Sequence, residues 1–107
     1  MYGTVARFRI KPGMESRLDE VMKVYEGDRP SGAIDSWVYR TDDDPRTYYL
    51  SVLFESRESY VRNAESPEQD KRYRMLRDLL ESGPEWHDGE VIYTLGQERD
   101  SSRRRAA

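Results

Sequence analysis

The 107-residue sequence has no cysteine, one histidine and only two phenylalanines. Without cysteine there is no disulfide framework and no thiolate for metal or redox chemistry. A single histidine and no spaced ligand pattern leave nothing to assemble a transition-metal site, so no metal and no cofactor are expected. No apolar run is long enough to span a membrane, and MYGTVARFRIK lacks the continuous apolar stretch of a signal peptide. The expectation is a cytoplasmic protein without membrane contact. Leu, Ile, Val and Phe make up under a fifth of the chain, which would point to disorder if net charge were large. It is only −3, and eight Tyr, four Met and two Trp restore apolar area.

Charge is unevenly placed. Arg99–Ala107 carries four Arg and one Asp, which leaves the rest of the chain at −6. An acidic body excludes nucleic acid as a natural partner. The chain therefore reads as one domain over residues 1–96 and a polar, disordered tail over 97–107. A domain of this size buries a modest core alone, so association that covers further apolar surface is expected.

Tyr2 to Ile10 alternates and predicts a strand. Tyr2, Thr4, Ala6, Phe8 and Ile10 share one face; Val5, Arg7 and Arg9 share the other. Lys11-Pro12-Gly13 ends it. Met14, Leu18, Val21, Met22 and Tyr25 then form one helical stripe, stopped by Gly27 and Pro30. A second strand is predicted over Ala33–Thr41 and a third over Tyr48–Glu55, joined by the polar turn Asp42-Asp43-Asp44-Pro45. Ser56 is a helix N-cap signal, and Ser66-Pro67-Glu68-Gln69 starts a further helix with Pro at its first position. Tyr73, Met75, Leu76, Leu79 and Leu80 supply its buried face. Gly83-Pro84 stops it, and Glu90–Leu95 predicts the last strand.

This order gives an α+β fold: a ferredoxin-like antiparallel four-stranded sheet with helices on one face. The other face carries Val5, Trp37, Tyr39, Tyr49 and Leu53. Nothing in the chain remains to cover it, so a second copy is expected there, making a homodimer through Trp37, Tyr39, Tyr49 and Leu53.

Four stretches carry a family resemblance: Phe8-Arg9-Ile10-Lys11-Pro12-Gly13, the Asp42–Pro45 turn, Phe54-Glu55-Ser56-Arg57-Glu58-Ser59-Tyr60, and Ser66-Pro67-Glu68. Over residues 2 to 95 the sequence resembles the antibiotic biosynthesis monooxygenase family. The resemblance implies a dimeric α/β barrel, a ligand pocket between sheet and helices, and oxidation of small aromatic or polyketide-like molecules by dioxygen without a cofactor. In quinone-forming members, strand three ends in a Trp, with an Asn four residues before it and a Tyr six residues after. Those positions here are Phe54, Leu50 and Tyr60. Haem-degrading members use an Asn, a Trp and a His at positions that fall on Ala6, Asn63 and Tyr73, so haem turnover is not implied.

Tyr60 is thus the candidate catalytic residue, as a phenol donor to a substrate oxygen, set against a packed tyrosine with a wet hydroxyl. Leu50, Phe54, Asn63 and Tyr73 are the candidate ligand-binding residues, set against plain core. The alternatives to an oxygenase are a non-catalytic binder of a small apolar or aromatic metabolite and a dimerisation module with a filled core. Trp86-His87-Asp88 contains an imidazole beside a carboxylate, but reads as a surface loop. The Asp42–Asp44 run reads as a solvated turn rather than a cation site. Arg7 and Arg9 point to the open face, where Asp35 and Glu55 are candidate partners, set against side chains that snorkel out of the barrel end.

Overall fold

The computed structural model describes residues 1–96; the expectation for the tail at 97–107 lies outside them. Four strands, β1 (Tyr2–Arg9), β2 (Ala33–Arg40), β3 (Thr47–Phe54) and β4 (Glu85–Glu90), form one antiparallel sheet in the order β2-β3-β1-β4. Three helices, α1 (Glu15–Gly27), α2 (Arg57–Ala64) and α3 (Pro67–Arg77), accompany them. This is the ferredoxin-like α+β arrangement.

The period-two pattern of β1 decides which face is buried. Ala6, Phe8 and Ile10 are fully covered, and Phe8 and Ile10 pack with Tyr48, Leu18, Val21, Leu76, Leu79 and Leu80. Phe8 and Tyr48 stack at 5.6 Å. Local chemistry sets the helix starts. The Ser56 hydroxyl accepts from Ser59 N–H at 3.1 Å, while the Ser59 hydroxyl accepts from Ser56 N–H at 3.2 Å, a reciprocal cap. Ser66 accepts from Gln69 N–H at 3.1 Å, and Pro67 opens α3. α3 ends at Arg77, so Leu79 and Leu80 lie beyond it, and Met75 is exposed rather than buried.

Three expectations need correction. First, β4 is Glu85–Glu90, not Glu90–Leu95. The chain is pinned just after α3: Leu80 bridges Ile10, and Glu81 N–H donates to Arg9 C=O at 3.0 Å. From there the chain turns straight back along β1, with Arg7 opposite Glu85 and Tyr2 opposite Glu90. β1 ends there, so a strand beginning at Glu90 would run past its partner. Val91 N–H still reaches Met1 C=O at 3.0 Å, and Ile92, Tyr93 and Leu95 beyond it are exposed. His87 therefore sits on a strand, not in a loop.

Second, the two arginines of β1 pair elsewhere. Arg7 meets Glu85 at 3.4 Å across the β1–β4 ladder. Arg9 binds Asp44 at 2.6 Å and Glu81 at 2.9 Å, and Arg46 closes the cluster on Glu81 at 2.5 Å. Asp44 is thus not a free turn residue. It also accepts from Thr47 Oγ1 at 2.7 Å and Arg46 N–H at 3.1 Å. Third, Leu53 lies on the open sheet face but is buried within the single chain.

The Arg9 cluster makes the fold acid-sensitive. Arg9 holds the Asp44 carboxyl well below the usual range, helped by Thr47 and the Arg46 backbone; Arg9 and Arg46 lower Glu81. The folded pKa values lie below the unfolded ones. The stabilisation is therefore complete above the unfolded pKa, about 4, and is lost as pH falls through the folded values. Stability should rise with pH across that window. Arg9→Ala should flatten the rise, as thermal melts from about pH 2.5 to 5.5, about one and a half units on each side of that pKa, would reveal. An unchanged slope would assign acid sensitivity to other carboxylates.

Candidate functional site

Tyr60 is on α2, one turn after the Ser56 cap, on the side that faces the sheet. Its ring meets Phe54 edge-on at 5.5 Å and tilts against Tyr2 at 5.3 Å. Phe54 is fully buried, so it forms a wall rather than a reactive group. The Tyr60 hydroxyl donates to Asp88 Oδ1 at 2.8 Å. Asp88 stands directly opposite Thr4 in the β1–β4 ladder. Burial and the hydrogen bond to Asp88 raise the Tyr60 pKa to about 12, with a nearby Thr4 hydroxyl in partial opposition. The phenol is therefore neutral at physiological pH. Thr4 is buried, and its Oγ1 makes no hydrogen bond of normal geometry. A buried hydroxyl without a partner costs about 1–3 kcal/mol, and this one lies opposite Asp88 in the ladder.

Alternation along β4 puts Trp86 on the same side as Asp88, opposite Ala6. Trp86 tilts against Tyr73 of α3 at 6.3 Å. Two aromatic pairs, Tyr2–Tyr60 and Tyr73–Trp86, thus flank the position of Asp88. A cleft of about 290 Å³ opens beside this site. Tyr2, Met1, the Glu55–Arg57 turn and the end of β4 line it.

The other residues singled out in the sequence are distributed differently. Leu50 packs against the main core. Asn63 joins a separate polar network: its amide N–H contacts Gln69 at 3.4 Å, and its carbonyl accepts from Arg72 at 3.2 Å. Arg72 is buried, paired with Asp28 at 2.5 Å, and lies over the Tyr25 ring at 5.7 Å. That network ties the end of α1 to α2 and α3. Tyr73 is near the Tyr60 site only through Trp86. Sequence reasoning missed Thr4, Asp88 and Arg72. The signals were present. Trp86 and Asp88 share strand parity, and Gln69, Arg72 and Leu76 share the inward helix face.

No protein-family model and no curated protein matches the sequence. Solved structures do match. SnoaB from Streptomyces nogalater, a cofactor-independent oxygenase, superposes with a TM-score of 0.75 at 18% identity, over 90% of this chain and 97% of its own. A protein from Deinococcus radiodurans, provisionally named an antibiotic biosynthesis monooxygenase, gives 0.75 at 9% identity, over 92% and 99%. A protein of the same provisional name from Chloroflexus aurantiacus gives 0.73 at 21% identity, over 89% and 96%. The fold is therefore the ferredoxin-like α+β fold of proteins named antibiotic biosynthesis monooxygenases. At these identities the shared property is the fold. Among the described residues, no helix is long and apolar enough to cross a membrane, and no cluster of His, Cys, Asp or Glu is placed to hold a metal ion.

Proposed function

We propose that this chain is a cofactor-independent oxygenase of small, electron-rich aromatic or polyketide-like molecules, and that it works as a homodimer closed through its open sheet face. The observation that carries the reading is the neutral Tyr60 phenol held on the Asp88 carboxylate between aromatic rings. Dioxygen reacts directly with an electron-rich carbanion or phenolate. The protein must bind the substrate flat, favour its deprotonated form and stabilise the oxyanion that develops. A phenol, a carboxylate and aromatic walls are suited to those tasks. The oxygenase activity of SnoaB on the same fold agrees with this assignment.

Anthrone and its hydroxylated analogues are the test compounds, followed by oxygen uptake. Tyr60→Phe keeps the ring and removes the hydroxyl. Turnover should fall by about a hundredfold, the effect of losing one oxyanion donor worth about 3 kcal/mol, with affinity for the compound nearly unchanged. Unaltered turnover would make Tyr60 a packing residue. The second reading, a binder of a small apolar metabolite, is favoured by Leu50 and Phe54, which are apolar where quinone-forming relatives carry Asn and Trp. Tight binding without oxygen uptake would select it.

The raised Tyr60 pKa has a separate consequence. Its folded value, about 12, lies above the unfolded one. The contribution to stability is thus complete below the unfolded pKa of about 10 and is lost as pH rises from there through the folded value. Tyr60 should ionise late in an absorbance titration of the folded protein, alongside Tyr25, whose burial also raises its pKa. Tyr60→Phe should reduce the late absorbance change by one tyrosine; an undiminished late amplitude would assign it to other residues.

A further inference from the structure

We propose that Asp88 is the base of this site, taking a proton from an acidic C–H or O–H of a flat aromatic substrate, and that the Tyr60 phenol first aims it and then serves the oxyanion. The inference rests on the oxygenase reading and assigns the step that precedes oxygen.

Asp88 is aimed by a neutral donor, the Tyr60 hydroxyl, whereas four other carboxylates are held by arginines. Asp28 is paired with Arg72, Asp44 with Arg9, Glu81 with Arg9 and Arg46, and Glu85 with Arg7. An arginine partner weakens a carboxylate as a base, whereas a phenol fixes its direction and leaves its charge intact. The Tyr60 bond uses Oδ1, which leaves Oδ2 to meet a substrate. The Tyr2–Tyr60 and Tyr73–Trp86 pairs stand on either side of the Asp88 position and supply aromatic surface next to the carboxylate. The buried, unpartnered Thr4 Oγ1 lies opposite Asp88 and offers a hydrogen bond to a substrate oxygen. His87 is excluded as the base, because it stands opposite Val5 and so faces the open side of the sheet. Ionisable groups on the same side of the sheet as Asp88 include Glu90, Tyr2, Tyr60, Tyr73 and, further along β3, Tyr48, with Tyr25 and Arg72 in the helix layer.

The chemistry balances. The Asp88 carboxylate removes a proton from a CH₂ carbon conjugated to a carbonyl, giving an enolate and a carboxylic acid. Asp88 then no longer needs the Tyr60 proton, and the phenol is free to donate to the enolate oxygen. The enolate transfers one electron to dioxygen, and the radical pair combines to a peroxide anion. The peroxide takes the proton back from Asp88 and loses water to leave a new carbonyl. One CH₂ and one O₂ become one C=O and one H₂O.

Base catalysis is measurable without oxygen. Anthrone in D₂O under argon exchanges its methylene hydrogens whenever a base returns deuterium to the carbanion. Asp88 is exposed and so equilibrates with solvent. The wild-type protein should accelerate this exchange. Asp88→Asn should lower it by about a hundredfold or more, with anthrone affinity retained and Asp88→Glu recovering part of the rate. Tyr60→Phe should lower the exchange rate in part while leaving anthrone affinity nearly unchanged, because the carboxylate loses the hydrogen bond that aims it. Full exchange in folded Asp88→Asn, or none in the wild type, overturns the assignment. Wild-type exchange without oxygen uptake in air overturns the oxygenase reading alone and supports Asp88 as a base.

Discussion

Replacing Gly3 with alanine is expected to leave the protein unfolded or barely folded. Gly3 is in the middle of the sheet, with Leu53 on one side and Gly89 on the other. A Cβ at this position would lie 2.1 Å from the Val52 carbonyl oxygen and 3.2 Å from its carbon. Both are backbone atoms, so no rotamer change relieves the contact. β1 and β3 would have to separate where β1 is also the only link to β4. Overpacking costs about 1–3 kcal/mol, and each broken ladder bond adds about 1 kcal/mol. A loss above about 3 kcal/mol is a large part of the stability of a small domain. The melting temperature should fall by about 15 °C or more. Tyr2 and Thr4 flank the position, so the Tyr60–Asp88 site would be lost with the strand. A melting temperature within a few degrees of wild type would mean that the strands part at little cost.

Trp37→Glu is expected to convert a homodimer into monomers or aggregate. Trp37, Tyr39, Tyr49 and Val5 are all more than one-third exposed on the helix-free face of the sheet. The Trp37 indole N–H donates to Tyr39 Oη at 3.0 Å, so the pair is ordered before any partner arrives and needs no polar group from it. Covering each such side chain contributes roughly 1–3 kcal/mol. A two-fold interface uses the same patch twice, so one substitution places two carboxylates in it. Burying an unpaired charge costs several kcal/mol, enough to cancel several aromatic contacts. Light scattering at micromolar concentration should give the dimer mass for wild type and Trp37→Phe, and half of it for soluble Trp37→Glu. A monomeric wild type would reject the assembly outright.

Much of this chain was legible because its signals are local. The alternation of Tyr2–Ile10, the stripe from Leu18 to Tyr25, and the Ser56 and Ser66 caps act within one or two turns of backbone. Their elements formed where the periodicity puts them. Tyr60 was legible only as one side of a pair. Its partner came 28 residues later, in a stretch whose composition resembles a loop. Glu85–Glu90 holds a Gly and three acids, whereas Val91–Leu95 has the higher strand propensity. The Ile10–Leu80 bridge and the length of β1 decided between them.

The sequence by itself determined β1 to β3, the three helices, their order and the face that β1 buries, because period-two and period-3.6 burial are properties of neighbouring residues. Only the tertiary structure decided which charges meet and what stands opposite what. Arg9 shared strand parity with Asp35 and Glu55, but the register sets those two at the other end of the sheet, and the ends of β1 and β3 brought Arg9 to Asp44 and Glu81. Asp88 became a partner of Tyr60 because the ladder set it opposite Thr4, under α2. Pairing register is a sum over many weak contacts across the whole sheet, and no single stretch of sequence contains that sum.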